Sequence, residues 1–179
     1  VVSNLANISS LLWHAYAALP APSSSVNWAG FYIRDDKFPS LASPVSSNPP
    51  GTSAVQSTTP PTRKLLLGPF QGKPACQLII FGKGVCGTAA LKRESLVVDD
   101  VLSFPGHIAC DAESRSEIVV PVVVGGEVSF VNLREVLTAN VWADLAIIDI
   151  DCTEPAGFDD VDRKYLEELA ALLGKSCDW

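Results

Sequence analysis

Apolar residues recur at three- and four-residue spacing from Asn4 to Leu19, at Leu5, Ile8, Leu11, Leu12, Ala15 and Leu19. This period predicts a helix, which Pro20 and Pro22 stop. From Val26 to Arg34 (VNWAGFYIR) the pattern turns aromatic and β-branched and predicts a strand. On that strand Trp28, Gly30 and Tyr32 share a face, leaving a gap between two rings. Further strands are expected at Lys64 to Phe70, ended by Gly68-Pro69, at Ala75 to Phe81, Leu96 to Val98, Ser116 to Val124 and Leu145 to Ile150. Gly82-Lys83-Gly84 predicts a tight turn before a short helix from Val85 to Leu91, and Val101 to Asp111 a loop. Gly125-Gly126 predicts a hairpin turn. A closing helix is expected from Phe158 to Leu173, with Asp159 or Asp160 near its N-terminus and Leu166, Leu169, Leu172 and Leu173 facing inward. Hairpin-paired strands with a helix at each end of the chain make an antiparallel α+β domain.

One stretch follows no period. Phe38 to Thr62 is mostly Pro, Ser and Thr and carries no charge, which predicts a disordered loop between two strands. The 179 residues suit a single domain, and 47% hydrophobic with 18% charged residues is a globular composition. A net charge of −7 without a basic patch argues against nucleic acid and anionic membranes as partners. No apolar run approaches the roughly 20 residues of a membrane span. The first residues, VVSNLANISS, lack the features of a signal peptide. The sequence has no Met, even at position 1, so the chain is expected to start inside a longer one. Five cysteines without a C-x-x-C pair, and only two His (His14 and His107), point away from a secreted scaffold or a structural zinc site. An intracellular, cytoplasmic protein with reactive thiols is expected.

Three cysteines, Cys76, Cys86 and Cys110, each lie beside Gly, Ala or Pro rather than inside an apolar run. Cysteines used as core filler prefer apolar positions, so these predict a redox-active thiol with partners to resolve it. Cys152 and Cys177 read as structural or incidental. The glycine-rich GKGVCGT lacks phosphate-loop spacing. His107 lies three residues before Cys110, but nothing supplies an oxyanion site for a Cys-His hydrolase. Asp149 and Asp151 share one face of the last strand. Two readings fit them: a strand end with both acids solvated, or a pocket where they meet a cation or share a proton. Trp28 and Tyr32 likewise fit either an ordinary core or a pocket wall.

Several blocks, taken in order, carry a resemblance: NWAGFY (Asn27 to Tyr32), LGPFQGKPAC (Leu67 to Cys76), GKGVCGTAA (Gly82 to Ala90), FPGHIACDAESRSEIVVP (Phe104 to Pro121) and DIDC (Asp149 to Cys152). Together they resemble the free methionine-(R)-sulfoxide reductases, enzymes built on a GAF domain. The resemblance implies a single GAF domain over residues 1–179, with a central antiparallel sheet of about six strands. It implies that Cys110 is the catalytic thiol, Cys76 the main resolving cysteine and Cys86 an auxiliary one. Trp28 and Tyr32 would line the pocket, and Glu117, Asp149 and Asp151 would bind and protonate the substrate. The implied partners are free methionine-(R)-sulfoxide, thioredoxin as reductant and a second copy of the chain; no metal or organic cofactor is called for. The alternatives are a GAF-type ligand sensor and a thiol redox sensor. The chain departs from the family pattern at the 38–62 loop and again at Val128 to Ala143. The second stretch fits a genuine loop or a translated intron, since Val128-Ser129 can be encoded GTG-AGT, Ala139-Asn140 GCT-AAC and Ala143-Asp144 GCA-GAC.

Overall fold

The computed structural model describes residues 1–38, 63–125 and 142–179. Helix α1 spans Val2–Ala17 and leads into β1, Val26–Arg34. Strands β2 (Lys64–Gly72) and β3 (Leu78–Ile80) follow, then α2 (Gly84–Lys92) and β4 (Leu96–Val98). The long strands β5 (Ser116–Gly125) and β6 (Trp142–Cys152) precede the closing helix α3 (Asp160–Ser176). The strands form one sheet in the order β3-β2-β1-β6-β5-β4, with each neighbouring pair antiparallel. The first and last strands therefore pair at its centre.

Strand alternation divides the interior into two. Ala29, Phe31 and Ile33 of β1, Ile118, Val120 and Val122 of β5, and Ala146, Ile148 and Ile150 of β6 face one way. They pack with Leu5 and Tyr16 of α1 and Leu166, Ala170 and Leu173 of α3. The other face carries Tyr32, Val119 and Ile147 under Val85, Cys86, Ala89 and Ala90 of α2. That second face holds the chemistry. The closing helix starts at a capping box, in which the Asp159 side chain accepts from the N–H groups of Val161 and Asp162 while Asp162 reaches back to the Asp159 N–H.

The α+β architecture of six antiparallel strands agrees with expectation, and β1 and β4 have the predicted limits. Other details differ. Gly68-Pro69 does not end β2, which continues to Gly72. The register shifts there: Gly30 pairs with Phe70 and Tyr32 with Leu67, so two residues of β2 oppose Phe31. Such a bulge accommodates a proline inside a strand. The third strand is confined to Leu78–Ile80, leaving Ala75 and Cys76 in a loop. On α1, Leu11 is exposed and Ser9 is buried, because the apolar list covers more than one stripe of the helix, and Leu19, expected within the helix, lies exposed beyond its end at Ala17. On α3, Leu172 is exposed and Ala170 takes the inward place. The last strand extends beyond Leu145–Ile150 at both ends, and its first residues pair with the end of β5 as Val124↔Ala143 and Gly125↔Trp142. The expected hairpin turn at Gly126, the loop from Pro39 to Thr62 and most of the stretch from Val128 to Ala143 lie outside the described residues.

Candidate active site

Cross-strand register assembles the site. Trp28 on β1 pairs with Asp151 on β6, and Asp151 pairs with Glu117 on β5, placing the three in one row across the sheet. The next row on the same face is Gly30, Asp149 and Val119. Tyr32 and Ile147 follow. Because β6 runs on to Cys152, both aspartates lie inside the strand, and burial of Glu117, Asp149 and Asp151 excludes a solvated strand end. A cavity of about 140 Å³ opens above these rows. All eight residues singled out from the sequence, Trp28, Tyr32, Cys76, Cys86, Cys110, Glu117, Asp149 and Asp151, line it.

Cys76 and Cys110 form a disulfide with their Cα atoms 5.4 Å apart. Both come from loops and are partly exposed. Cys86 differs from the expectation of an approachable turn cysteine. It sits in the first turn of α2, packed into the core at 8% exposure, and its Sγ donates to Glu117 Oε1 at 3.2 Å. Burial, reinforced by the neighbouring Asp149, Glu117 and Asp151, pushes the Cys86 thiol pKa up and keeps its proton on.

The acids are crowded and dry. Burial above all, then Asp149, raises the pKa of Glu117 well above the usual carboxylate range. Asp151 is raised by burial, then by Glu117 and Asp149. Burial pushes Asp149 up to about 6. Asp149 Oδ1, Asp151 Oδ1 and Trp28 Nε1 are buried without a hydrogen-bond partner among the described residues. Buried polar atoms of this kind are normally satisfied, so the site has unmet acceptor and donor capacity aimed at a polar guest. Cys86, Glu117 and Asp149 each bring a ligand atom within 4.8 Å of the others, close enough to surround a small cation.

One residue that the sequence does not single out, Phe70, backs two of the walls. The expected gap at Gly30 is filled by Phe70, whose ring stands 6.0 Å from those of both Trp28 and Tyr32. A Cβ on Gly30 would lie 2.2 Å from Phe70 Cδ2, so only glycine admits this ring. The alternation of β2 could have placed Phe70 on this face, had the strand not been ended at Pro69. Tyr32 is more than a wall. Burial raises its pKa, and its hydroxyl donates to the carbonyl of Cys76 at 2.8 Å.

A six-stranded antiparallel sheet, with two helices on one face and a cavity of thiols and acids on the other, defines a GAF domain, and the GAF domain family matches residues 16–177. The chain is 46% identical over 98% of its length to a free methionine-R-sulfoxide reductase of Saccharomyces cerevisiae, covering 75% of that protein. It is 35% identical over 97% of its length to the Escherichia coli protein of the same name, covering 76% of it. The solved free methionine-R-sulfoxide reductase of Neisseria meningitidis, in complex with its substrate, superposes with a TM-score of 0.67 at 34% identity, over 97% of this chain and 75% of that one. The chain belongs to the free methionine-R-sulfoxide reductases of the GAF domain family. Among the described residues no helix is long and apolar enough to cross a membrane.

Proposed function

We propose that this chain reduces free methionine-(R)-sulfoxide to methionine in the cytoplasm, with Cys110 as the attacking thiolate. The observation that carries the reading is the meeting, in one cavity, of the Cys76–Cys110 disulfide with three buried carboxylates. Cys110 attacks the sulfoxide sulfur while one of the acids, still protonated near neutral pH, delivers its proton to the sulfoxide oxygen. Oxygen passes from the substrate sulfur, which is reduced, to Cys110, which becomes a sulfenic acid. Cys76 then displaces the hydroxyl as water and closes the disulfide. Thioredoxin reopens the disulfide by thiol exchange, and Cys86 is an auxiliary thiol. Trp28 and Tyr32 hold the methyl and sulfur end of the substrate. Its ammonium meets the ionised members of Glu117, Asp149 and Asp151, which favours the free amino acid over a peptide residue that has lost this charge. The chain forms a homodimer in this reading, supported by the exposed Leu19 in the turn after α1 and Val161 and Tyr165 on α3; sedimentation tests it.

The direct test is to incubate the reduced protein with free methionine-(R)-sulfoxide and dithiothreitol and measure methionine. Turnover is expected, Cys110→Ser abolishes it, and Cys76→Ser slows it most when thioredoxin is the reductant. No methionine from the chain, or from a version lacking residues 128–143, would leave a ligand-sensing GAF domain as the better reading.

A further inference from the structure

The two disulfide cysteines come from separate loops, Cys76 between β2 and β3 and Cys110 between β4 and β5. Neither lies in a strand or a helix, and only Cys76 is tied to the sheet, through the Tyr32 hydroxyl on its carbonyl, so the sheet alone does not set their separation. Other bonds join these loops. Lys73, shortly before Cys76, places Nζ 3.1 Å from Oδ2 of Asp111, the residue after Cys110. It also pairs with Glu113. Asp111 is firmly anchored: Oδ2 accepts from Asn27 Nδ2 at 3.1 Å and Oδ1 from the Glu113 N–H at 3.1 Å. Asn27, buried near the start of β1, grips both loops. Its side chain donates to Asp111 and to Ser114 Oγ, and its carbonyl accepts from the Lys73 N–H at 3.0 Å. The Lys73–Asp111 ion pair closes this triangle on the solvent side, and neither residue lines the cavity.

We propose that Lys73 and Asp111 are positioning residues for the second half of the reaction. Resting on the activity proposed above, their role is to keep Cys76 within reach of Cys110 after Cys110 has been oxidised, without contact with the substrate. In that step the Cys76 sulfur attacks the sulfenic sulfur of Cys110, the S–S bond forms, the S–O bond breaks, and the hydroxyl leaves with the Cys76 proton as water. Two thiol-derived groups on separate loops react at a rate set by how long they are held together. The ion pair adds to the grip of Asn27 and so lengthens that hold. Since Lys73 is half-exposed, the hold weakens with salt.

The test separates the two halves. Reduced protein is mixed with excess free methionine-(R)-sulfoxide without reductant and quenched at intervals. Methionine is measured beside the Cys76–Cys110 disulfide, by peptide mass spectrometry, and dimedone traps sulfenic acid. In Lys73→Met and Asp111→Asn the first methionine is expected to form at the rate of the unaltered protein. Disulfide formation should slow about threefold, the size of one solvent-exposed ion pair, with a dimedone adduct building at Cys110. Lys73→Arg should restore the rate. An unchanged disulfide rate would overturn the proposal, and so would equal slowing of both steps, which would place the pair in the service of the pocket or the fold. No methionine from the unaltered protein would overturn the activity itself, and this role with it.

Discussion

Asp149 carries its carboxyl group in the middle of the sheet, with Oδ1 buried and unpartnered among the described residues. Burial pushes its pKa from 3.8 to about 6. An unfolded chain would release this proton near pH 4, so between about pH 4 and pH 6 the folded state holds a proton that the unfolded state does not. Folding stability therefore falls as pH rises through that window. Glu117 and Asp151, raised further, extend the decline upward. Asp149→Asn should flatten the pH dependence between those limits, read as urea midpoints across a pH series; an unchanged slope would mean that Asp149 is not the group holding the proton. The thiols of the cavity were legible in the sequence. The aspartates two apart on a strand fitted a solvated end equally well until the family resemblance favoured a pocket, whereas thiols beside small neighbours announce themselves by chemistry and spacing. Phe70, Asn27 and Lys73 did not, because what they do depends on a strand or loop far away in the chain.

At the scale of elements, the bulge opposite Phe31 lets β2 bring Phe70 against Gly30. Gly30→Ala would set a Cβ 2.2 Å from Phe70 Cδ2 and 2.6 Å from the Pro69 carbonyl oxygen, so β2 has to move. Overpacking of this kind costs roughly 1–3 kcal/mol. The expected outcome is a lower melting temperature together with a raised KM, since Phe70 packs against both pocket rings. A variant with native KM would show the ring to be irrelevant to the substrate. At α3, Asp159→Ala removes the side chain that caps Val161 and Asp162. It should lower stability by about 1 kcal/mol, measured by urea unfolding, with activity unchanged. The two terminal helices and most strands were readable from apolar period. The course of β2 was not, because Gly-Pro is ordinarily a terminator and only its partner strand reveals a bulge. The buried stripe of α1 was also blurred, since its apolar residues outnumber the places that the sheet can cover.

For the whole molecule, the Cys76–Cys110 disulfide spans 34 residues of sequence. Closing a loop of that size removes enough freedom from the unfolded chain to stabilise the fold by about 3–4 kcal/mol. Reductant should shift the urea midpoint downward and should have no further effect in Cys76→Ser, because Cys86, Cys152 and Cys177 are free. The sheet order was the least legible property. Hairpins follow from local turns, whereas the pairing of β1 with β6 joins the two ends of the chain. No local pattern encodes it.

That central pairing has a consequence for synthesis. A chain leaving the ribosome presents Trp28, Cys76, Cys86, Cys110 and Glu117 long before Asp149 and Asp151 emerge. Until then β1 and β5 each lack the neighbour that separates them. The nascent protein thus carries all three thiols without the completed acid cluster that surrounds them, and its sheet becomes continuous only when translation has passed Cys152.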